Sequence, residues 1–258
     1  MAEDNAPALA VESLSKSFGA VPAVGDVTFA VQAGSLTCLI GPNGAGKSTL
    51  LQCVAGGLRQ ETGRVLLGGG DISTWPAHRR ARAGLAIVFQ AMRAPEVDVL
   101  ASTMIGAHAW THSGFLSGIL RPPWQWREEG RIREEAWRAL QLVGLAERAR
   151  DPSDSLPLGQ LRLLSVARAL AQRPKVLLLD EPAAGLRAGE KRQLVQVLHS
   201  LRERGLTQVV VEHDMGFVGS VAERVLVLDR GRLIADGPPA QVREDARVIE
   251  AYLGTAVM

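Results

Sequence analysis

The sequence LTCLIGPNGAGKSTLLQCVAG, residues 36–56, joins three signals in one run. Leu36–Ile40 is a short apolar segment typical of a strand, and Lys47–Gly56 has the apolar spacing of a helix that ends in glycine. Between them, residues 41–48 match the pattern G-x-x-x-x-G-K-[ST] in full. A strand, a glycine-rich loop and a helix in this order predict a phosphate-binding loop.

Each part of this loop has a chemical task. Glycines allow the backbone N–H groups to point at phosphate oxygens, and the following helix N-terminus adds its partial positive charge. We expect Lys47 to reach the terminal phosphates and Ser48 to bind Mg²⁺. The chain has four lysines among its 29 basic residues, so a lysine here is not background usage. The residues expected to contact a nucleotide in this loop are Gly41, Pro42, Asn43, Gly44, Ala45, Gly46, Lys47, Ser48 and Thr49.

A second motif, VLLLDEP at residues 176–182, supplies acidic groups at the end of an aliphatic strand. A strand of this kind places Asp180 at the carboxyl edge of a parallel sheet, beside the phosphate loop, where it can bind Mg²⁺. Glu181 points elsewhere and is suited to polarise an attacking water. ATP and Mg²⁺ are therefore the expected ligands.

The rest of the chain indicates an α/β protein with an insertion. Short β-type runs fill the first third, and the aliphatic runs Lys175–Leu179 and Thr207–Val211 resemble strands buried on both faces of a parallel sheet. Residues 91–163 differ, because they hold four of the five tryptophans and a long helical run rich in arginine and glutamate. We predict a helical subdomain at 91–163, inserted into a core formed by 1–90 and 164–258.

Composition excludes several classes of protein. A net charge of +2 leaves no overall excess that would draw the surface to nucleic acid or anionic lipid. The cysteines, Cys38 and Cys53, fit buried reduced thiols rather than a disulfide framework or a metal site. Val99–Leu120 carries no charged residue but contains two histidines and many small polar residues, so we do not interpret it as a membrane span.

The two nucleotide motifs, GPNGAGKST and VLLLDEP, resemble those of the ATP-binding cassette (ABC) ATPases, and the resemblance extends over almost the whole chain. It implies a parallel RecA-like sheet, an N-terminal antiparallel β subdomain and the inserted helical subdomain. In the same family Gln90 of AIVFQ would contact the metal and the attacking water, and His213 of VVVEHDM would contact the γ-phosphate. Phe18 would stack on the adenine, although an isolated phenylalanine at a strand end also packs in cores.

The family signature LSGGQ, which binds the γ-phosphate of the opposite subunit, aligns with Leu156–Gln160. Pro157 replaces serine and Leu158 replaces glycine, whereas Gly159 and Gln160 remain. The change removes a hydroxyl and a backbone N–H and adds a bulky side chain. A further departure is Arg187, which stands where the family usually has aspartate in the loop between subunits and puts communication through that loop in doubt.

These departures, with VEHDM and a C-terminal AYLG, resemble the ATP-binding subunit of branched-chain amino acid importers. The resemblance implies a second, different ATPase subunit, two permeases and a periplasmic or extracellular solute-binding protein, with this chain peripheral on the cytoplasmic side of the inner membrane. Related importers also carry urea, short amides and aromatic acids. The aromatic insert around Trp110–Trp126 would face the permease or add core to the helical subdomain.

Two other functions compete with this interpretation. An ABC ATPase can act as a clamp on nucleic acid or in translation, but such proteins usually carry coiled-coil insertions or two cassettes. The chain has a single cassette and no sustained heptads. A small-molecule kinase would need an acceptor pocket and would not explain Gln160 or His213. We therefore expect a transport ATPase and no nucleic-acid partner.

Overall fold

The computed structural model describes residues 6–90, 96–107 and 123–253. Within these ranges, ten strands form two sheets: β1 Leu9–Phe18, β2 Val21–Val31, β3 Leu36–Ile40, β4 Thr62–Leu67, β5 Gly70–Asp71, β6 Leu85–Val88, β7 Val176–Asp180, β8 Thr207–Val211, β9 Arg224–Asp229 and β10 Arg232–Gly237. The helices within the described residues are α1 Lys47–Ala55, α2 Ala77–Arg82, α3 Val99–Ala107, α4 Pro123–Leu142, α5 Leu158–Leu170, α6 Ala188–Glu203, α7 Met215–Val221, α8 Pro239–Glu244 and α9 Ala246–Leu253.

The larger sheet carries the phosphate loop. Its strand order is β10-β9-β3-β8-β7-β6, and the five strands from β9 to β6 run parallel, while β10 pairs antiparallel with β9. Every residue of β3, β7 and β8 is buried, because helices and the second sheet cover both faces. The prediction of buried parallel strands at the two aliphatic runs is confirmed.

The smaller sheet is antiparallel, with the order β2-β1-β4-β5. It packs against α1 and one face of the larger sheet around Leu14, Val27 and Leu50, while the opposite face of the larger sheet packs on the helices. A parallel α/β sheet with an antiparallel β subdomain was predicted, and this prediction is confirmed.

Cys38 and Cys53 are free and buried. Burial, with the charge of Glu212, raises the pKa of Cys38 to about 12, which keeps this thiol protonated at neutral pH.

Helices α3, α4 and α5 pack on one another and form the helical region. The predicted boundary between residues 163 and 164 lies within α5, which also contacts β6 and so belongs to both parts. Trp110 and the side chains of Trp124 and Trp126 lie outside the described residues, so the two interpretations of the aromatic insert stay open.

No helix within the described ranges is both long and apolar enough to cross a bilayer, and residues 108–120 of Val99–Leu120 lie outside those ranges.

A buried arginine supports the C-terminus of α1. Arg80 is 1 % exposed, and its guanidinium donates to the carbonyls of Cys53 at 2.8 Å, Val54 at 2.7 Å, Ser73 at 2.8 Å and Trp75 at 2.9 Å. The first two carbonyls belong to the last turn of α1, where a positive charge also complements the helix dipole. Arg80 therefore holds α1, and with it the phosphate loop, against α2.

Arg80→Met is expected to lower the free energy of unfolding by about 3 kcal/mol or more, because buried carbonyl groups lose their donor. Urea unfolding would measure the change. The matched control is Arg79→Met: Arg79 is exposed and lies over the Trp75 ring at 4.2 Å, a contact worth about 0.5–1 kcal/mol. Equal losses for the two variants would contradict the role given to Arg80.

Candidate active site

The phosphate loop connects β3 to α1 at the carboxyl edge of the larger sheet. Two of its glycines, Gly41 and Gly46, are required by space as well as by conformation. Gly46 has φ 100°, and a Cβ there would lie 2.1 Å from the carbonyl oxygen of Ala23. A Cβ at Gly41 would lie 2.0 Å from the carbonyl oxygen of Leu228. The loop is thus packed between β2 and β9, and its backbone has little room to move.

Lys47, the first residue of α1, points back into the loop. Its ammonium is buried, at 7 % exposure, and donates to the carbonyl oxygens of Gly41 at 2.8 Å and Pro42 at 2.9 Å. Burial lowers its pKa, and the nearby carboxylates of Glu181 and Asp180 act in the opposite direction. A buried cation held by two carbonyls at the mouth of the loop is a suitable partner for phosphate oxygens.

Ser48 and Asp180 meet beside this lysine. The Ser48 Oγ lies 3.4 Å from Asp180 Oδ1, which is long for a hydrogen bond between oxygens. Burial raises the pKa of Asp180, Glu181 raises it further, and Ser48 and Lys47 lower it. Hydroxyl and carboxylate oxygens are the hard ligands that Mg²⁺ prefers.

The described residues contain no group of three or more His, Cys, Asp or Glu side chains that could hold a metal ion. A pair of oxygen ligands fits Mg²⁺ all the same, since this ion keeps several waters and binds substrate phosphates rather than an all-protein cage.

Glu181, Gln90 and His213 come together at the same edge of the larger sheet. Gln90 Nε2 donates to Glu181 Oε2 at 2.7 Å, and His213 Nδ1 lies 3.8 Å from Glu181 Oε1. The three residues follow β6, β7 and β8, so neighbouring parallel strands deliver them to one edge. The arrangement gathers a carboxylate, an amide and an imidazole, and the Glu181 carboxylate is near enough to Lys47 of the phosphate loop to affect its pKa.

Phe18, the residue expected to stack on adenine, lies at the protein surface. It ends β1, its side chain is 52 % exposed, and the Lys16 ammonium lies 5.6 Å from the ring centroid. An aromatic ring with this exposure is available for stacking and is not part of the core.

The altered signature lies at the N-terminus of α5. Pro157 is the N-cap residue, and Leu158, the first residue of the helix, is 46 % exposed. The Gly159 N–H donates to Glu190 Oε1 at 3.2 Å, and a Cβ at Gly159 would lie 2.5 Å from that oxygen. Gln160 Oε1 accepts from Arg148. The N–H of Gly159, the one glycine that the signature retains, is therefore already hydrogen-bonded to a carboxylate of the same chain.

Several contacts around the site were not anticipated from sequence. Arg162 of the signature helix donates to the backbone carbonyl of Gln90 and so joins α5 to the residue that follows β6. Glu190 also accepts from the Arg187 N–H at 2.8 Å and so ties the start of α6 to the signature helix. Arg187 is not a favoured N-cap residue, so the sequence carried no capping-box signal for the second contact.

The C-terminal helix α9 borders the phosphate loop from outside, with a cavity of about 500 Å³ between it and residues 42–45. Burial raises the pKa of Tyr252 on α9, and the backbone of Gly41 partly offsets that effect. The AYLG sequence, noted only as a family marker, thus places its tyrosine next to the first glycine of the loop.

The parallel sheet, the antiparallel β subdomain and the phosphate loop define a P-loop ATPase of the ATP-binding cassette class. The family model "ABC transporter" matches residues 24–184, and the model "Branched-chain amino acid ATP-binding cassette transporter" matches residues 232–257. The chain belongs to the ABC transporter family, as an ATP-binding subunit similar to those of branched-chain amino acid transporters.

Curated relatives and a solved structure agree with this assignment. The chain is 37 % identical to the high-affinity branched-chain amino acid transport ATP-binding protein BraF of Pseudomonas aeruginosa, over 97 % of this chain and 99 % of BraF. It is 34 % identical to LivG of Escherichia coli, also a high-affinity branched-chain amino acid transport ATP-binding protein, with the same coverage. A crystal structure of the ADP conformation of an ATP-binding cassette from an ABC transporter superposes with a TM-score of 0.83 at 29 % identity, covering 95 % of this chain and 98 % of that one.

Proposed function

We propose that this chain is the ATP-hydrolysing subunit of an importer for branched-chain amino acids. The observation that carries the proposal is the convergence of Lys47, Asp180, Gln90, Glu181 and His213 at one edge of the sheet, around a loop in which Gly41 and Gly46 leave no room for a Cβ. The substrate class comes from the similarity to BraF and LivG over nearly the full length of both chains.

In the proposed reaction the loop N–H groups and Lys47 bind the β- and γ-phosphates of ATP. Ser48, Asp180 and Gln90 would hold Mg²⁺, which neutralises charge on the phosphate oxygens when it is bound. Glu181 orients a water molecule and accepts its proton as the water oxygen bonds to the γ-phosphorus. The bond from that phosphorus to the bridging oxygen breaks, and ADP and inorganic phosphate are the products.

Gln90 and His213 assist from either side of Glu181. Gln90 is hydrogen-bonded to the Glu181 carboxylate, so it can hold that group and contact the water. His213 lies within 3.8 Å of the same carboxylate and would donate to the γ-phosphate. Phe18 would stack on the adenine with its exposed face. These roles are supported by position, since each group faces the loop from a different strand end.

The two nucleotide sites of the assembled dimer are proposed to be unequal. This chain brings a complete phosphate loop with its acids, but the signature it offers to a partner has Pro157 and Leu158, and Glu190 covers the Gly159 N–H. A negative carboxylate at the helix end would oppose a phosphate there. We therefore infer a heterodimer in which a second ATPase subunit supplies an intact signature to this chain's loop.

The remaining partners follow from the transport function. Two permeases would form the membrane path, a solute-binding protein outside would deliver the substrate, and this chain would sit on the cytoplasmic face of the inner membrane. The similarity to transport subunits favours this assembly over a clamp on nucleic acid, and we do not propose nucleic acid as a partner.

Uptake of radiolabelled leucine tests the proposal. Cells that lack this chain are expected to regain uptake when it is supplied, and to stay at background with Lys47→Ala, because the permeases cannot cycle without hydrolysis. Labelled urea, a short amide and benzoate serve as comparison substrates. Restored uptake of one of these without leucine would overturn the substrate class while leaving the ATPase assignment intact.

A further inference from the structure

Glu212, between strand β8 and His213, has no role in the site as described so far. Its side chain is 1 % exposed although it is charged when ionised. Burial raises its pKa, and N–H donors from the backbone of Ala183, His213 and Asp214 oppose that rise. A buried acid costs free energy unless its oxygens are well bonded, so the bonds that it makes explain why it is tolerated.

The two carboxylate oxygens of Glu212 point to two different loops. Oε1 accepts from the Ala183 N–H at 2.7 Å, in the loop that follows Glu181. Oε2 accepts from the His213 N–H at 3.2 Å, in the loop that carries the histidine. The Glu212 N–H donates to the Leu39 carbonyl at 3.2 Å, which ties the same residue to β3. One side chain thus links the two loops and is itself fixed to the central strand.

The loop after β7 needs such support. Glu181 has φ 48°, in the left-handed region that is strained for a non-glycine residue. Its N–H donates to the Val211 carbonyl at 2.9 Å, and Ala183, two residues on, is held by Glu212. The strained turn that aims Glu181 is therefore fixed from both ends by β8 and the residue that follows it.

We propose that Glu212 is a positioning residue for ATP hydrolysis, which sets the Glu181 carboxylate and the His213 imidazole relative to one another. The inference rests on the proposed function, because it takes Glu181 as the group that orients water. Glu212 does not touch the substrate. It acts through backbone N–H groups of two loops, and its carboxylate form is needed because both oxygens must accept.

Glu212→Gln tests this role with little change of volume. The amide keeps one acceptor but turns an NH₂ group toward an N–H donor, so one of the two loops is released. We expect kcat for ATP hydrolysis to fall about tenfold or more, since small misplacements of catalytic groups have large effects. KM for ATP should stay within about twofold, because Lys47 and the phosphate loop are untouched.

Glu212→Asp provides a second test that retains the buried charge. The shorter side chain is expected to lose the Ala183 N–H while remaining close to that of His213, and to show the same fall in kcat at unchanged KM. This variant decides the question if Glu212→Gln does not fold.

The matched control is Gln208→Met at the other end of β8. Gln208 is also fully buried, and its amide donates to the Leu198 carbonyl at 2.9 Å, far along the strand from the site. The Gln208→Met variant should have a lower melting temperature, and its kcat should stay within about twofold of wild type.

The outcomes separate the two proposals. A kcat within twofold of wild type for both Glu212 variants, or parallel losses in kcat, KM and melting temperature, would overturn the inference. If Glu181→Gln itself kept wild-type hydrolysis, the proposed role of Glu181 would fail instead, whatever Glu212 does.

Discussion

Glu181→Gln is expected to lower kcat for ATP hydrolysis by about 100- to 10,000-fold, the range for loss of a general base. The amide keeps the shape of the side chain and can still bond to Gln90, but it cannot accept a proton from water. ATP binding should persist, because Lys47, Ser48 and Asp180 are unchanged. Phosphate release and nucleotide retention on the purified chain, measured with its partner subunit, would give both quantities.

The matched control for this variant is Glu12→Gln. Glu12 forms an ion pair at 2.6 Å with Arg64 in the smaller sheet, and the side chains are 43 % and 61 % exposed, respectively. The same chemical change there should leave hydrolysis within about twofold of wild type, since exposed pairs contribute little. Comparable hydrolysis in Glu181→Gln and Glu12→Gln would contradict the role of Glu181.

Lys47→Ala is expected to lower hydrolysis at a fixed ATP concentration by about 100- to 1,000-fold, the cost of removing one preorganised donor to a transferring phosphoryl group. Unlike Glu181→Gln, this variant should also bind ATP more weakly, because on the proposed function the buried ammonium would contact the phosphates in both the ground and transition states. Equilibrium binding of a fluorescent ATP analogue would separate the two effects.

Two further lysine variants test whether the effect depends on an ammonium group at position 47. Lys47→Arg should recover little activity, since a planar guanidinium is larger than the ammonium held by the Gly41 and Pro42 carbonyls. Lys175→Ala removes an exposed lysine before β7 and should have no effect on hydrolysis. Wild-type ATP affinity in Lys47→Ala would show that the loop does not hold nucleotide through this side chain.

Much of the fold could be predicted because the sequence signals were local. The glycine loop, the aliphatic strands and the helical spacing after Lys47 each depend on neighbouring residues, and the structure places strands and helices at those positions. Gly56, predicted as part of the helix end, has φ 79° as the C-cap of α1. The domain boundary predicted between residues 163 and 164 stays a prediction. Helix α5 is continuous across these residues.

The residues proposed for the nucleotide site could also be named from sequence, because their motifs follow strand ends and parallel strands end at one edge; their roles stay predictions. The contacts that hold them could not be named. Glu212 reaches Ala183 across 29 positions of the chain, and Arg162 reaches Gln90 across 72. Arg80 bonds to α1 carbonyls from a helix more than twenty residues away. Such pairings depend on the packing of separate elements, and a single sequence carries no local pattern for them.

The central claim of this account is an asymmetric pair of nucleotide sites. On the proposed function this chain would supply all the hydrolysis residues, while Pro157, Leu158 and the Glu190 carboxylate would weaken the signature that it offers to a second copy of itself. A matched double variant, Pro157→Ser with Leu158→Gly, restores the family pattern and keeps everything else. If the account is right, this change should allow the chain to dimerise with itself in ATP.

The most direct test is the mass in solution of Glu181→Gln with and without Mg-ATP, alone and mixed with the candidate second ATPase subunit. The account predicts a monomer when the chain is alone, a heterodimer only with the partner and Mg-ATP, and a homodimer only after the Pro157→Ser/Leu158→Gly change. A tight ATP-dependent homodimer of Glu181→Gln with its native signature would contradict it, because Pro157, Leu158 and Glu190 would then leave the signature working.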